Sequence, residues 1–180
     1  MKLIILYLIC SCFVLTAVAQ TNYYANDKTF YEDGYTYQCD VQEGAKFVTL
    51  YNKSNKFTKI EQVNRYTGES ISIEQNRRKQ FEADSWTKSK CYFIVNNAFS
   101  LTEKRRVKGN KFIITMYIDP DTGKVVDVEF QFLSIKPYAT IPLSVYREIE
   151  IELKKNIWFT ITDEGKKRNY IVLGWLQEPK

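Results

Sequence analysis

The sequence predicts an α+β protein: an antiparallel sheet with one long C-terminal helix and a second helix packed on one face. Three observations predict it. Phe112–Ile118 and Val125–Leu133 are β-branched and aromatic runs joined by Asp119-Pro120-Asp121-Thr122-Gly123-Lys124, a hairpin signal in which Pro120 presets the turn and Gly123 supplies a positive φ. Tyr146, Ile149 and Leu153 recur at helical spacing within 142–155, with Pro142 suited to the first turn and Lys154-Lys155 to the last. Tyr35–Cys39 and Ala45–Tyr51 read as strands.

From the N-terminus, Lys2 precedes an apolar run from Leu3 to Leu15, and Ala17-Val18-Ala19 meets the small-x-small rule. Residues 1–19 are therefore expected to be a signal peptide cleaved between Ala19 and Gln20. No basic stop-transfer cluster follows at Thr21-Asn22, so no transmembrane segment is expected after cleavage. The alternative is a lipid anchor at Cys12, where Ser11 fits a lipobox and Cys10 fits poorly. Residues 20–180 are expected to form a single α+β domain. Within it, 20–34 is polar and Tyr-rich and reads as a loosely held arm.

Weaker strands are expected at 57–63 and 70–73, joined by the turn Tyr66-Thr67-Gly68-Glu69. Residues 74–90 are polar, with Phe81 and Trp86 as isolated apolar points, and read as a surface helix and a loop. Residues 91–99 fit a helix, with a buried strand at 92–95 as the competitor. Ser100-Leu101-Thr102-Glu103 matches a capping box, and Lys104-Arg105-Arg106 before Lys108-Gly109 closes that short helix. Two last strands are expected at 157–162 and 169–176.

Composition constrains chemistry. Charged residues make up 26% and aromatics 15%, which suits a globular chain. The net charge of +5 is mild and falls by one when Lys2 leaves, so no nucleic-acid partner is expected. There is no histidine. That excludes Ser-His-Asp and Cys-His catalysis and His-ligated metal centres. Cys39 and Cys91 remain after cleavage, an even pair in an oxidising compartment, and are expected to form a disulfide. Closing a loop of ~50 residues would stabilise by about 4 kcal/mol. Two buried free thiols are the other reading.

Other clusters read as structural. Asp119-x-Asp121-x-Gly123 lacks the third oxygen ligand and the terminal Glu of a calcium loop. Glu148, Glu150 and Glu152 read as a solvated helix face. Tyr23, Tyr24, Tyr31, Tyr35, Tyr37, Tyr51 and Tyr66 suit strand packing or sugar stacking. Arg77-Arg78-Lys79, Lys104-Arg105-Arg106 and Lys166-Lys167-Arg168 read as polar faces.

The run Tyr117-Ile118-Asp119-Pro120-Asp121-Thr122-Gly123-Lys124-Val125-Val126-Asp127-Val128, followed by Ile141-Pro142-Leu143, resembles the hairpin and proline-led helix of TonB C-terminal-type domains over 112–176. The whole chain resembles small secreted proteins of Bacteroides and relatives that carry a domain of unknown function. The resemblance implies a shared fold and a periplasmic or surface binding role. The expectation is an exported, non-enzymatic binding or envelope-associated protein with a protein or glycan partner. No catalytic residue, cofactor or metal is expected. The alternatives are a carboxylate-based hydrolase or glycan-handling protein, and a secreted inhibitor or host-directed effector. Intact mass of the exported protein should match a chain beginning at Gln20; a diacylglyceryl-modified Cys12 would replace secretion with anchoring.

Overall fold

A computed structural model describes residues 21–180. The expected cleavage site, Ala19 and Gln20, and the alternative lipid site Cys12 lie outside the described residues. Six strands form one antiparallel sheet in the order β1-β2-β3-β5-β4-β6. They are β1 (Lys28–Glu32), β2 (Tyr35–Gln42), β3 (Phe47–Asn52), β4 (Phe112–Ile118), β5 (Val125–Leu133) and β6 (Ile171–Gln177). Among the described residues the α-helices are α1 (Ile73–Asn76), α2 (Thr87–Ala98), α3 (Leu101–Val107) and α4 (Leu143–Asn156).

The α+β class is broadly right, but the expected single long C-terminal helix is corrected. α4 has 14 residues and α2 has 12, so neither dominates. Local sequence divides the helical content. Ser72 and Ser100 each open a separate helix with a capping box, and Phe99 is extended between α2 and α3. α4 is bounded by extended Pro142 and Ile157, with the proline one position earlier than expected. The strands expected at 57–63, 70–73 and 157–162 reduce to isolated bridges, Val63 with Ser70, Lys124 with Trp158 and Phe81 with Ile161.

The pleat sorts side chains by face. Cys39, Leu50, Phe130, Ile114 and Trp175 form one cross-strand row on the inner face. The next row, Gln38, Tyr51, Glu129, Thr115 and Gly174, lies on the outer face. α4 settles on the inner face through Tyr146, whose ring stacks 5.4 Å from Phe132 and lies 5.2 Å from Phe130. The Tyr146 hydroxyl donates to the Tyr138 carbonyl at 2.8 Å, so its one polar group is satisfied in the core.

The stretch expected as a loose arm is tied down instead. Residues 28–32 form β1. Tyr24 is fully buried against Phe30, Phe132 and Tyr146, and its hydroxyl donates to the Ile141 carbonyl at 3.1 Å. An apolar ring with a satisfied hydroxyl outweighs the polar composition around it.

The expected disulfide is also corrected: Cys39 and Cys91 are both free and buried. Cys39 lies on β2. Cys91 sits on α2 beside Met116, Leu173 and Trp175 of β4 and β6. β2 and β4 are three strand steps apart, roughly 14 Å, whereas a disulfide needs Cα atoms within about 7 Å. Burial pushes each thiol up to about 12, with help from Asp27 and Asp40 at Cys39 and from Asp84 at Cys91. The folded protein should therefore resist dithionitrobenzoate at mildly alkaline pH and expose both thiols on unfolding. A protein that releases no thiol when unfolded without reductant would restore the disulfide.

Candidate functional site

An apolar concavity lies between α2 and the β6 side of the sheet, with a volume of about 440 Å³. Met116, Leu173 and Trp175 form its floor, because alternate residues of β4 and β6 face the helices. Thr87, Lys88, Cys91 and Tyr92 come from α2. Phe81 and Phe159 close the far side, their rings 4.7 Å apart.

Each wall has a local cause. Phe81 is held by backbone pairing of its segment with 160–162: Glu82 N–H donates to Thr160 O at 2.8 Å and Thr162 N–H to Gln80 O at 3.1 Å. Phe159 donates its N–H to the Gly123 carbonyl at 2.8 Å. α2 starts where Asp84 accepts from the Trp86 N–H at 3.0 Å and from the Thr87 N–H and hydroxyl at 2.7 and 2.5 Å. Those bonds, that of the Thr87 hydroxyl first, hold the Asp84 carboxyl below its ordinary value.

The rim carries charge. Glu82 pairs with Lys79 at 2.9 Å, and Asp84 is occupied by its cap. Lys88 is exposed and makes no ion pair among the described residues. Just outside, Trp86 and Trp158 lie 4.5 Å apart with the Lys90 ammonium 5.6 and 5.8 Å from their rings. Trp158 is 52% exposed. The cavity is thus an apolar, aromatic slot with a few polar groups at its mouth, the usual make-up of a small-ligand or side-chain site. Cys91, protonated at neutral pH, serves it as an apolar wall.

The outer face is chemically different. Glu129 accepts from the Tyr117 hydroxyl at 3.0 Å and from Gln131 at 2.7 Å. Burial pushes its carboxyl above the usual glutamate range, against the opposing pull of those two donors. Asp40, two strands away, pairs with Lys59 at 3.3 Å and accepts from Tyr51 at 2.9 Å. The raised carboxyl therefore lies on the opposite side of the sheet from the slot and its two acids.

The residues singled out in the sequence do not converge. Asp119 caps its own turn, accepting from Asp121 N–H at 3.0 Å and Thr122 N–H at 2.7 Å. Among the described residues no His/Cys/Asp/Glu group is arranged to hold a metal ion. Glu148 is exposed, but Glu150 is only 2% exposed, which corrects the solvated-face reading. It accepts from the buried Tyr37 hydroxyl and pairs with Lys154 at 2.5 Å. The tyrosines split: Tyr24 and Tyr37 are core, Tyr31 and Tyr66 exposed. Arg168 is buried, unlike its neighbours Lys166 and Lys167. The slot itself was missed; its one trace in the sequence was the isolated apolar pair Phe81 and Trp86 in a polar stretch.

The chain matches the family described as Domain of unknown function (DUF5043) over residues 20–175, and it is a member of that family. It is similar to the crystal structure of a DUF5043 family protein from Bacteroides uniformis, with 44% identity and a TM-score of 0.83. The match covers 88% of this chain and 95% of that one. No curated protein matches. The family match runs through both halves of the domain and lends no support to a separate TonB-type unit at 112–176.

Glu129 gives a pH test. Its folded value is raised above that of the unfolded chain. It thus adds stability that is present below about 4.5, the ordinary glutamate value, and is lost as pH rises through the folded value. Glu129→Gln does not titrate, so its stability relative to the native protein should increase from acid to neutral pH in denaturant melts. A relative stability that falls over that range would contradict the assignment.

Proposed function

We propose that this protein acts outside the cytoplasm as a non-enzymatic binding protein, and that the slot between α2 and β6 receives an apolar or aromatic group of its ligand. The observation that carries the reading is the slot: a space of about 440 Å³, walled by Phe81, Phe159, Leu173 and Trp175 and left unfilled by the chain's own side chains. Leaving apolar walls uncovered forgoes roughly 25 cal/mol per Å² of burial, so occupation by an apolar group is favourable. Export is supported by the apolar run and the small-x-small site at Ala17–Ala19. Among the described residues no helix is long and apolar enough to cross a membrane.

The carboxylate-hydrolase reading fits less well. General acid catalysis needs a carboxyl with a raised pKa beside a second, ionised one. Within the slot Asp84 is held low by its capping bonds and Glu82 is engaged by Lys79.

The fluorophore anilinonaphthalene sulfonate, an aromatic body with one anionic sulfonate, is a direct probe, with the slot's Trp175 as energy donor. Saturable binding to the folded protein is expected. Leu173→Trp, which fills the slot, should weaken it roughly tenfold or more, about 1.4 kcal/mol or greater. Ile113→Trp on the outer face should leave it unchanged. Absence of saturable binding, or equal binding by Leu173→Trp, would remove the slot from the function.

A further inference from the structure

β6 is an edge strand, and it is unguarded. Its seven residues, Ile171-Val172-Leu173-Gly174-Trp175-Leu176-Gln177, include no charge and no proline. No irregularity interrupts its register with β4. The other edge, β1, has five residues and carries Lys28 and Glu32. Among the described residues no backbone group of 172–177 bonds to any segment besides β4. Edge strands normally carry charges, prolines or bulges that prevent pairing with another chain.

The side chains on this edge are also uncovered. On the outer face Val172 is 40% and Leu176 56% exposed. On the inner face Leu173 and Trp175 are half-buried, although their partners Met116 and Ile114 are fully buried. The slot therefore opens along this edge.

We propose that two copies of this chain pair through β6, antiparallel about a two-fold axis at Gly174, to form a continuous sheet of both molecules. Complementarity selects a second copy as the occupant. In that register Val172 faces Leu176 of the other copy, so the exposed apolar side chains cover one another. Leu173 likewise faces the other copy's Trp175, which closes the open side of each slot. The strand is neutral, so no like charges are opposed. Gly174 meets its own equivalent at the axis, where the absence of side chains allows close approach. The interface is isologous and closes at a dimer. The inference stands apart from what the slot binds.

Light scattering and sedimentation across micromolar to millimolar concentrations should show a mass approaching twice that of one chain. Leu176→Lys and Val172→Lys change exposed side chains, and each should return the protein to monomer with its circular dichroism unchanged. Gly174→Cys should form a disulfide-linked dimer on oxidation, readable because Cys39 and Cys91 are buried. A Cβ at 174 meets the Thr115 hydroxyl at an ordinary 3.6 Å, so that variant should fold. A native protein that stays monomeric throughout, or a dimer whose Gly174→Cys variant gives no cross-link, overturns the proposal, whatever the outcome with the fluorophore.

Discussion

The contact between Gly123 and the Phe159 backbone fixes how the second half of the molecule closes. Gly123 has φ +69° and donates its N–H to Asp119 O at 2.9 Å, which makes the β4–β5 turn. Its carbonyl accepts from the Phe159 N–H at 2.8 Å. A Cβ at 123 would overlap the Phe159 carbonyl. Only glycine satisfies both the positive φ and the close approach. The hairpin tip thereby grips the chain as it leaves α4. With Phe159 held there, its ring turns under α2 and into the slot, while neighbouring Trp158 turns outward to Trp86.

A second set of constraints holds the long segment between β3 and α2, which contains little regular structure. Asp127 accepts from the Lys56 and Phe57 N–H groups at 2.7 and 2.8 Å. Arg168 donates to Gln62 at 2.9 Å, to Asn76 at 3.2 Å and to the Gln75 carbonyl at 2.8 Å, at the C-terminal end of α1. Its partners are neutral, and burial lowers the guanidinium's pKa. Desolvating such groups costs several kcal/mol unless they are bonded. Each therefore favours one placement of the loop, the one that supplies its partners. Glu150 does the same for α4, fixing the helix over β2 through Tyr37.

Legibility followed the range of the interaction. The β4–β5 hairpin was readable because its turn chemistry is local to Asp119–Lys124, and α3 because Ser100 and Glu103 cap within one turn. The approximate extent of α4 was readable from its apolar stripe. What depends on partners distant in sequence was not. Glu150 is buried because a tyrosine 113 positions earlier reaches it. Cys39 and Cys91 both belong to an apolar core, which even number and compartment alone do not distinguish from a bond. Tyr24 is a core ring inside a polar segment. The slot is assembled from four separate parts of the chain, and only Phe81 and Trp86 marked one of them.

The slot also follows from a mismatch of widths. Six strands at about 4.8 Å spacing span roughly 24 Å between the outermost strands. Two helices side by side, at an interaxial distance of 8–10 Å, cover about 20 Å with their side chains. α4 and α2 together cannot cover the inner face from β1 to β6. On the β1 side the deficit is filled by Tyr24, whose ring reaches Phe30 at 5.3 Å. On the β6 side Phe81 and Phe159 reach only part of the way, and Leu173 and Trp175 stay half-covered. The cavity and the bare strand edge are thus one feature: the margin of a sheet wider than its helical layer, finished from within on one side and open on the other.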